Sequence, residues 1–151
     1  MNEIEKYIKR ITEFGLNDKV ESDNKELEIQ KLLVGLYYEY LNLEVEFDDG
    51  DFEEEPTFDY DSIKKNVEAN FSDFGWYHSV FESHLIIPDA YLVTGDAIDD
   101  LSDIIKDMLE IKWQFENTSE KYAKWCFKDI MQSHSEQHLV GFLKYLKDKN
   151  G

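Results

Sequence analysis

A single cysteine, Cys126, and only two prolines, Pro56 and Pro88, occur among the 151 residues of this chain. One thiol excludes an intramolecular disulfide, a cysteine-rich metal knot and a Cys-x-x-Cys redox pair. It also suits a reducing compartment, so a cytoplasmic location is expected. Positive charge is scarce as well, with 16 Lys and Arg against 34 Asp and Glu and a formal net charge of −18. Phosphate backbones and anionic lipid surfaces are held through clusters of Lys and Arg, so neither nucleic acid nor a membrane is an expected partner. No apolar run approaches the roughly 18 residues of a membrane span. Met1 to Phe14 mixes charge with apolar residues and lacks the apolar core of a signal peptide. There is no G-x-S-x-G elbow, no glycine-rich phosphate cradle and no internal repeat. Period-two alternation long enough to announce a sheet is missing too.

What is present, 42% hydrophobic residues over 151 positions, suits one domain spanning 1–151. Ile4, Tyr7, Ile8, Ile11 and Phe14 recur at three and four residues, predicting a first helix that Gly15 ends. The broader stripe from Leu27 to Leu43 predicts a long second helix with a central place in the core. Asp59 or Asp61 is placed to cap a third helix, with Ile63, Val67 and Phe71 inward and Gly75 at its end. Trp76 to Val93 gives conflicting signals, helical at Trp76, Tyr77, Val80 and Phe81, extended at Leu85-Ile86-Ile87-Pro88. Beyond Gly95 the apolar residues Ala97 to Ile111 gather on one side of a helical wheel, with the aspartates on the other. A last helix, capped at Asn117, Thr118 or Ser119, runs to about Asp148 with a bend near Ser133. The expected fold is all-α, a bundle of about five helices with an acidic loop at about 45–59 between the second and third.

That loop is the densest feature of the chain. Glu39 to Asp61 holds eleven carboxylates and no Lys or Arg, interleaved with Tyr40, Phe47, Phe52, Phe58 and Tyr60. Like charges so concentrated oppose compaction and are offset when a cationic partner docks. Asp48, Asp49, Asp51, Glu53, Glu54 and Glu55 would steer a basic protein, while Phe47, Phe52 and Phe58 fill its pockets. Asp48-Asp49-Gly50-Asp51 does not make a calcium loop, because positions six and twelve counted from Asp48 are Glu53 and Asp59.

Two other patterns bear chemistry. Asp96, Asp100, Asp103 and Asp107 follow i, i+4, i+7 and i+11, a spacing by which helices gather oxygen ligands. They lie opposite the apolar stripe, however, so a solvated or partner-facing surface is the expected role. His134 and His138 are i and i+4, as two imidazoles ligating one metal would be, but their wheel position falls in the apolar stripe. Hydrogen-bonded core histidines are therefore expected, and Cys126, between Trp125 and Phe127, is expected to be packing. His78 and His84 flank Phe81 without a carboxylate or nucleophile at diagnostic spacing and read as ordinary residues.

Gly95-Asp96-Ala97-Ile98-Asp99-Asp100-Leu101-Ser102-Asp103-Ile104, together with His134, His138, Leu139, Val140, Leu143 and Leu146, resembles the bacterial family called domain of unknown function 5063. Its members carry an Asp-Asp-Leu-Ala-Asp-Ile helix start and a terminal helix with two histidines around Trp-Gly, where this chain has Ser135-Glu136. The resemblance implies a mostly helical bacterial protein and lends no activity. The expected function is a non-enzymatic, cofactor-free acidic module, an immunity- or antitoxin-type inhibitor docking on a basic partner such as a toxin. The alternative is a metal-dependent helical phosphohydrolase using Asp99, Asp100, Asp103 and Asp107, with a histidine as proton carrier.

Overall fold

The computed structural model describes residues 1–151. Helices α1 (Glu3–Leu16), α2 (Lys25–Asn42) and α3 (Tyr60–Asn70) precede a hairpin of β1 (Trp76–Val80) and β2 (Leu92–Asp96). Then come α4 (Ala97–Asn117), α5 (Glu120–Ile130), a π-turn over Met131–Ser135 and α6 (Glu136–Asn150). Each start is written into the sequence. Asn2 and Glu5 form a reciprocal capping box, Asn24 accepts from Leu27 N–H, Asp96 from Ile98 N–H, and Ser119 from Tyr122 N–H. Asp59 does stand at the N-cap of α3, but its carboxylate receives the Ser62 hydroxyl instead of a backbone N–H.

The mostly helical architecture agrees with the sequence; an all-α class does not, because β1 and β2 pair antiparallel with Tyr77 opposite Gly95 and Val80 opposite Leu92. The hairpin escapes a period-two search for a physical reason. One face carries the exposed Trp76, Val80 and Leu92, and the other, with Tyr77, Val93 and Gly95, is only half-buried, so no long apolar–polar alternation was required. Helix α3 also stops at Asn70, five residues before Gly75, where the Asn70 side chain accepts from Val20 N–H and donates to the carbonyls of Phe14 and Asn17.

The central helix is α4, not α2. It packs on α1, α3, α5 and α6, whereas α2 leaves Leu27, Val34, Tyr38 and Leu41 exposed. Ile98, Leu101, Ile104, Ile105 and Met108 are buried in one cluster with Ile8, Ile11 and Phe14 of α1 and Phe142 of α6. Gly15 does not end α1 by a left-handed turn. It lies inside the last turn, and a Cβ there would meet Ile105 Cγ2 at 2.5 Å and Ile63 Cγ2 at 3.0 Å. Both neighbours are β-branched and stiff. Gly15→Ala is accordingly expected to cost about 1–3 kcal/mol in urea unfolding; an unchanged midpoint would mean that α1 slides freely over α4.

Residues 44–58 cross the outer face of α5 as a strap in which no residue takes part in a backbone–backbone hydrogen bond. Side chains hold it down. Phe47 meets Trp125 edge-on at 4.9 Å, Phe52 lies 4.8 Å from Tyr122, and Glu55 accepts from Gln114 Nε2 at 2.8 Å. Ser119 donates to Asp48, and Lys128 to the carbonyl of Leu43 just before the strap.

Candidate metal centre

Because α6 covers the side of α4 that the sequence assigned to solvent, Asp100 and Asp107 are buried, at 6% and 5% exposure, and the aspartate ladder is not a solvated face. The ladder also divides by role. Asp96 is the N-cap of α4, Asp99 accepts the Tyr60 hydroxyl, and Asp100, Asp103 and Asp107 turn to the histidines of the last helical run.

The π-turn sets the histidines in place. Residues 123, 127, 131, 135 and 139 are all buried, a strict spacing of four. In an α-helix each such step overshoots a full turn by about 40° and would carry the row out of the core. The wider turn at Met131–Ser135 absorbs this drift. Ser135 thereby stays inward at 0% exposure and donates to Asp107 Oδ2 at 2.6 Å, while His134 and His138 emerge at the edge of α4.

Each imidazole is oriented by a buried carboxylate. Asp107 Oδ2 lies 2.6 Å from His134 Nδ1, and Asp100 Oδ1 lies 2.7 Å from His138 Nδ1. An ionised carboxylate only accepts, so each Nδ1 carries a hydrogen and donates. Asp100 is itself held by Tyr77, whose hydroxyl donates to Oδ2 at 2.5 Å. The Tyr77 ring lies over Gly95 on the neighbouring strand, where any Cβ would enter it. The hairpin thus delivers this hydroxyl to the centre.

With both Nδ1 atoms donating, the two Nε2 atoms face each other at 3.3 Å, and Asp103 Oδ2 sits 3.5 Å from His138 Nε2. Two lone pairs at that separation repel unless a cation stands between them, either a proton or a metal. Two tetrahedral Zn–N bonds of about 2.0–2.1 Å place their nitrogens about 3.3–3.4 Å apart, which is the separation found. Ligand atoms of Asp103, His134 and His138 all lie within 4.8 Å of one another. Two imidazoles and a carboxylate would give an ion three protein ligands, the number found in catalytic zinc sites, where structural ones have four. His134 and His138 also line a cavity of about 990 Å³, together with Tyr77, Ser83, Thr94, Gln137 and Lys144 among others.

In the metal-free protein the Asp100 carboxylate, opposed by partial burial, raises the His138 pKa above 6.5. Burial and the neighbouring Asp99 also push the Asp103 carboxyl up, with the two imidazoles pulling it back. The sign for His138 follows from linkage. Protonation is favoured in the fold, so its contribution to stability is complete below about pH 6.5 and is lost as pH rises through the higher folded-state value. Urea unfolding of the metal-free chain minus that of His138→Gln, measured from pH 5.5 to 8.5, is expected to show this loss, and a flat difference would contradict it.

Of the residues expected to meet a partner, Asp49, Asp51, Glu53 and Glu54 are exposed and Phe47 is 58% exposed. Phe52 and Phe58 instead lie against this chain's own Tyr122 and core. Of the expected metal set Asp99, Asp100, Asp103 and Asp107, only Asp103 offers a direct ligand. Asp100 and Asp107 stand behind the histidines, and Asp99 is held by Tyr60. The sequence carried no spacing signal for Tyr77 or Ser135.

No family model matches the chain, and no curated protein matches it. Among solved structures it is similar to the crystal structure of protein BF1032 from Bacteroides fragilis, at a TM-score of 0.72 and 16% identity over 99% of this chain and 90% of that one. At that identity the likeness concerns the fold alone.

Proposed function

We propose that this chain binds a divalent transition-metal ion of the zinc type through Asp103, His134 and His138 and acts as a metal-dependent hydrolase. The observation that carries the reading is the pair of Nε2 atoms, each with its Nδ1 committed to a buried aspartate, held at 3.3 Å. Carboxylate-oriented histidines are the usual second layer of such a centre, fixing the tautomer and raising ligand basicity. An ion held there would lower the pKa of a bound water toward neutrality and would act as a Lewis acid toward a substrate oxygen. The protein's part is positional. Asp100 and Asp107 hold both lone pairs on one point, Tyr77 holds Asp100, and Ser83, Thr94 and Gln137 offer hydrogen bonds to a polar small molecule in the cavity. Lys144 and Lys149 line the same cavity, Lys144 paired with Asp148 and Lys149 with Glu26 and Asp73, so a phosphoester is the substrate class to test first provided it can draw one of them from its carboxylate.

Calorimetric titration of metal-free protein with zinc, manganese and magnesium tests the binding step. One equivalent of tight zinc or manganese binding is expected; no saturable binding of any of the three removes the reading. Turnover of p-nitrophenyl phosphate or bis-p-nitrophenyl phosphate by the loaded protein tests the hydrolytic step separately, and a loaded protein inert toward both, and toward a wider phosphoester panel, is a metal protein and no phosphohydrolase.

A second reading, an acidic module docking on a basic protein, is favoured by one observation. Asp49, Asp51, Glu53 and Glu54 are exposed, and none has an ion-pair partner within the chain. Such docking is steered by charge, so association must weaken steeply with salt. It must also weaken when Glu53 and Glu54 are reversed to lysine.

A further inference from the structure

We infer that a second site, between the acidic strap and helices α4 and α5, accepts an alkylammonium or guanidinium group. It is a cavity of about 620 Å³ whose walls include Phe52, Glu55, Glu110, Gln114, Tyr122 and Trp125. This site is independent of the metal centre, and it rests on the docking reading only if the cation belongs to a protein.

Three observations converge on that chemistry. The first is charge: Glu53, Glu54, Glu55, Glu110 and Asp129 line the cavity against one cation, Lys106, and Lys106 is already paired with Glu110 at 2.9 Å. Such a wall repels phosphates and carboxylates and attracts cations. Burial is the main cause of a raised Glu110 carboxyl, which a further positive neighbour would bring back down.

The second is an orphaned acceptor. Gln114 is only 5% exposed; its Nε2 donates to Glu55 Oε2 at 2.8 Å, and its Oε1 is buried with no donor. Reversing the amide does not help, because it would set an oxygen against the Glu55 carboxylate. A buried acceptor left unmatched is costly, so this wall calls for one more N–H.

The third is aromatic. Tyr122 and Trp125 stand nearly parallel, at 14° with centroids 6.5 Å apart, and Phe52 lies 4.8 Å from Tyr122. Their faces attract cations within about 6 Å, and guanidinium stacks on them. A ligand that combines positive charge, N–H donors and an alkyl stem answers all three. The strap that forms one wall is held by side chains alone, Phe52 and Glu55 among them, with no backbone ladder behind them.

Two sources supply that chemistry, a free polyamine or a Lys or Arg side chain of a docked protein, and titration of the intact metal-free chain separates them. Indole resonances are followed by NMR during addition of spermidine, N-acetyl-lysine amide, N-acetyl-arginine amide, a short Lys/Arg peptide, and the neutral N-acetyl-norleucine amide. A saturable shift of the Trp125 indole with the cationic probes is expected, with Trp76 of the hairpin unmoved and the norleucine amide silent. Glu55→Gln keeps a partner for Gln114 but removes the charge, and it is expected to weaken binding about tenfold. Gln114→Leu is expected to do the same by removing the acceptor; should it unfold, Glu55→Gln alone decides. Preference for spermidine assigns a free polyamine, and preference for the peptide assigns a protein side chain. No saturable shift with any cation, an equal response to the norleucine amide, or undiminished binding by Glu55→Gln overturns the site. Because no metal is present, that failure leaves the Asp103–His134–His138 proposal untouched.

Discussion

His138→Ala is expected to raise the zinc dissociation constant about a thousandfold or more, and His134→Ala to do the same, while both variants stay folded. Each imidazole contributes one of two facing nitrogens, and a site left with one imidazole and Asp103 no longer defines a tetrahedral edge. Asp103→Ala should cost less than either histidine, because water can take the place of the carboxylate. Asp100→Asn is expected to weaken binding about 10–100-fold, since it removes the charge that holds His138 Nδ1–H without touching the ion. Asp99→Ala is the control. Its carboxylate is engaged by Tyr60 and offers no ligand, so affinity should change little, by no more than its through-space influence on Asp103 and His138. Affinity must also rise with pH through the imidazole range, since a protonated Nε2 cannot ligate. Calorimetry across the series, at two pH values, checks all of these. Full affinity in His138→Ala, or a large loss in Asp99→Ala, would move the site elsewhere on α4.

Periodicity located α1, α2 and α4 closely, because each buries an apolar stripe against neighbours and caps itself with its own side chains. It also narrowed the next cap to Asn117, Thr118 or Ser119, of which Ser119 serves, and expected a bend near Ser133, where the π-turn lies. Helical spacing could not say which side of α4 is covered. Asp100 and Asp107 look like a solvent face on a wheel, and only the packing of α6 across them makes a buried site. The same spacing placed His134 and His138 in the apolar stripe because a regular helix was assumed; one wide turn moves them to its edge. Likewise the aromatic residues of the strap read as outward-facing until Tyr122 and Trp125 are seen to receive Phe52 and Phe47. Tyr77 was beyond reach for another reason. Its contact with Asp100 spans 23 residues through a largely exposed hairpin with no long burial pattern to betray it.

Asp107→Ala is expected to damage stability and metal affinity together, because one oxygen, Oδ2, serves both. It receives the Ser135 hydroxyl from the completely buried side of the π-turn and the His134 Nδ1–H from its outer edge. Removal leaves the hydroxyl unmatched in the core and frees the imidazole to turn, at a cost of about 2–4 kcal/mol in unfolding free energy. Zinc affinity should fall about 10–100-fold. The two losses can be separated. Ser135→Ala removes the inner donor alone, so it should lower stability by about 1 kcal/mol and leave zinc binding nearly intact. In a double-mutant cycle Asp107→Ala and Ser135→Ala should cost less together than the sum of the two alone, because each abolishes the same hydrogen bond. Additive costs would mean that the hydroxyl and the carboxylate act independently. The π-turn would then owe its place to the apolar row through Met131 and Leu139, and not to the centre it presents.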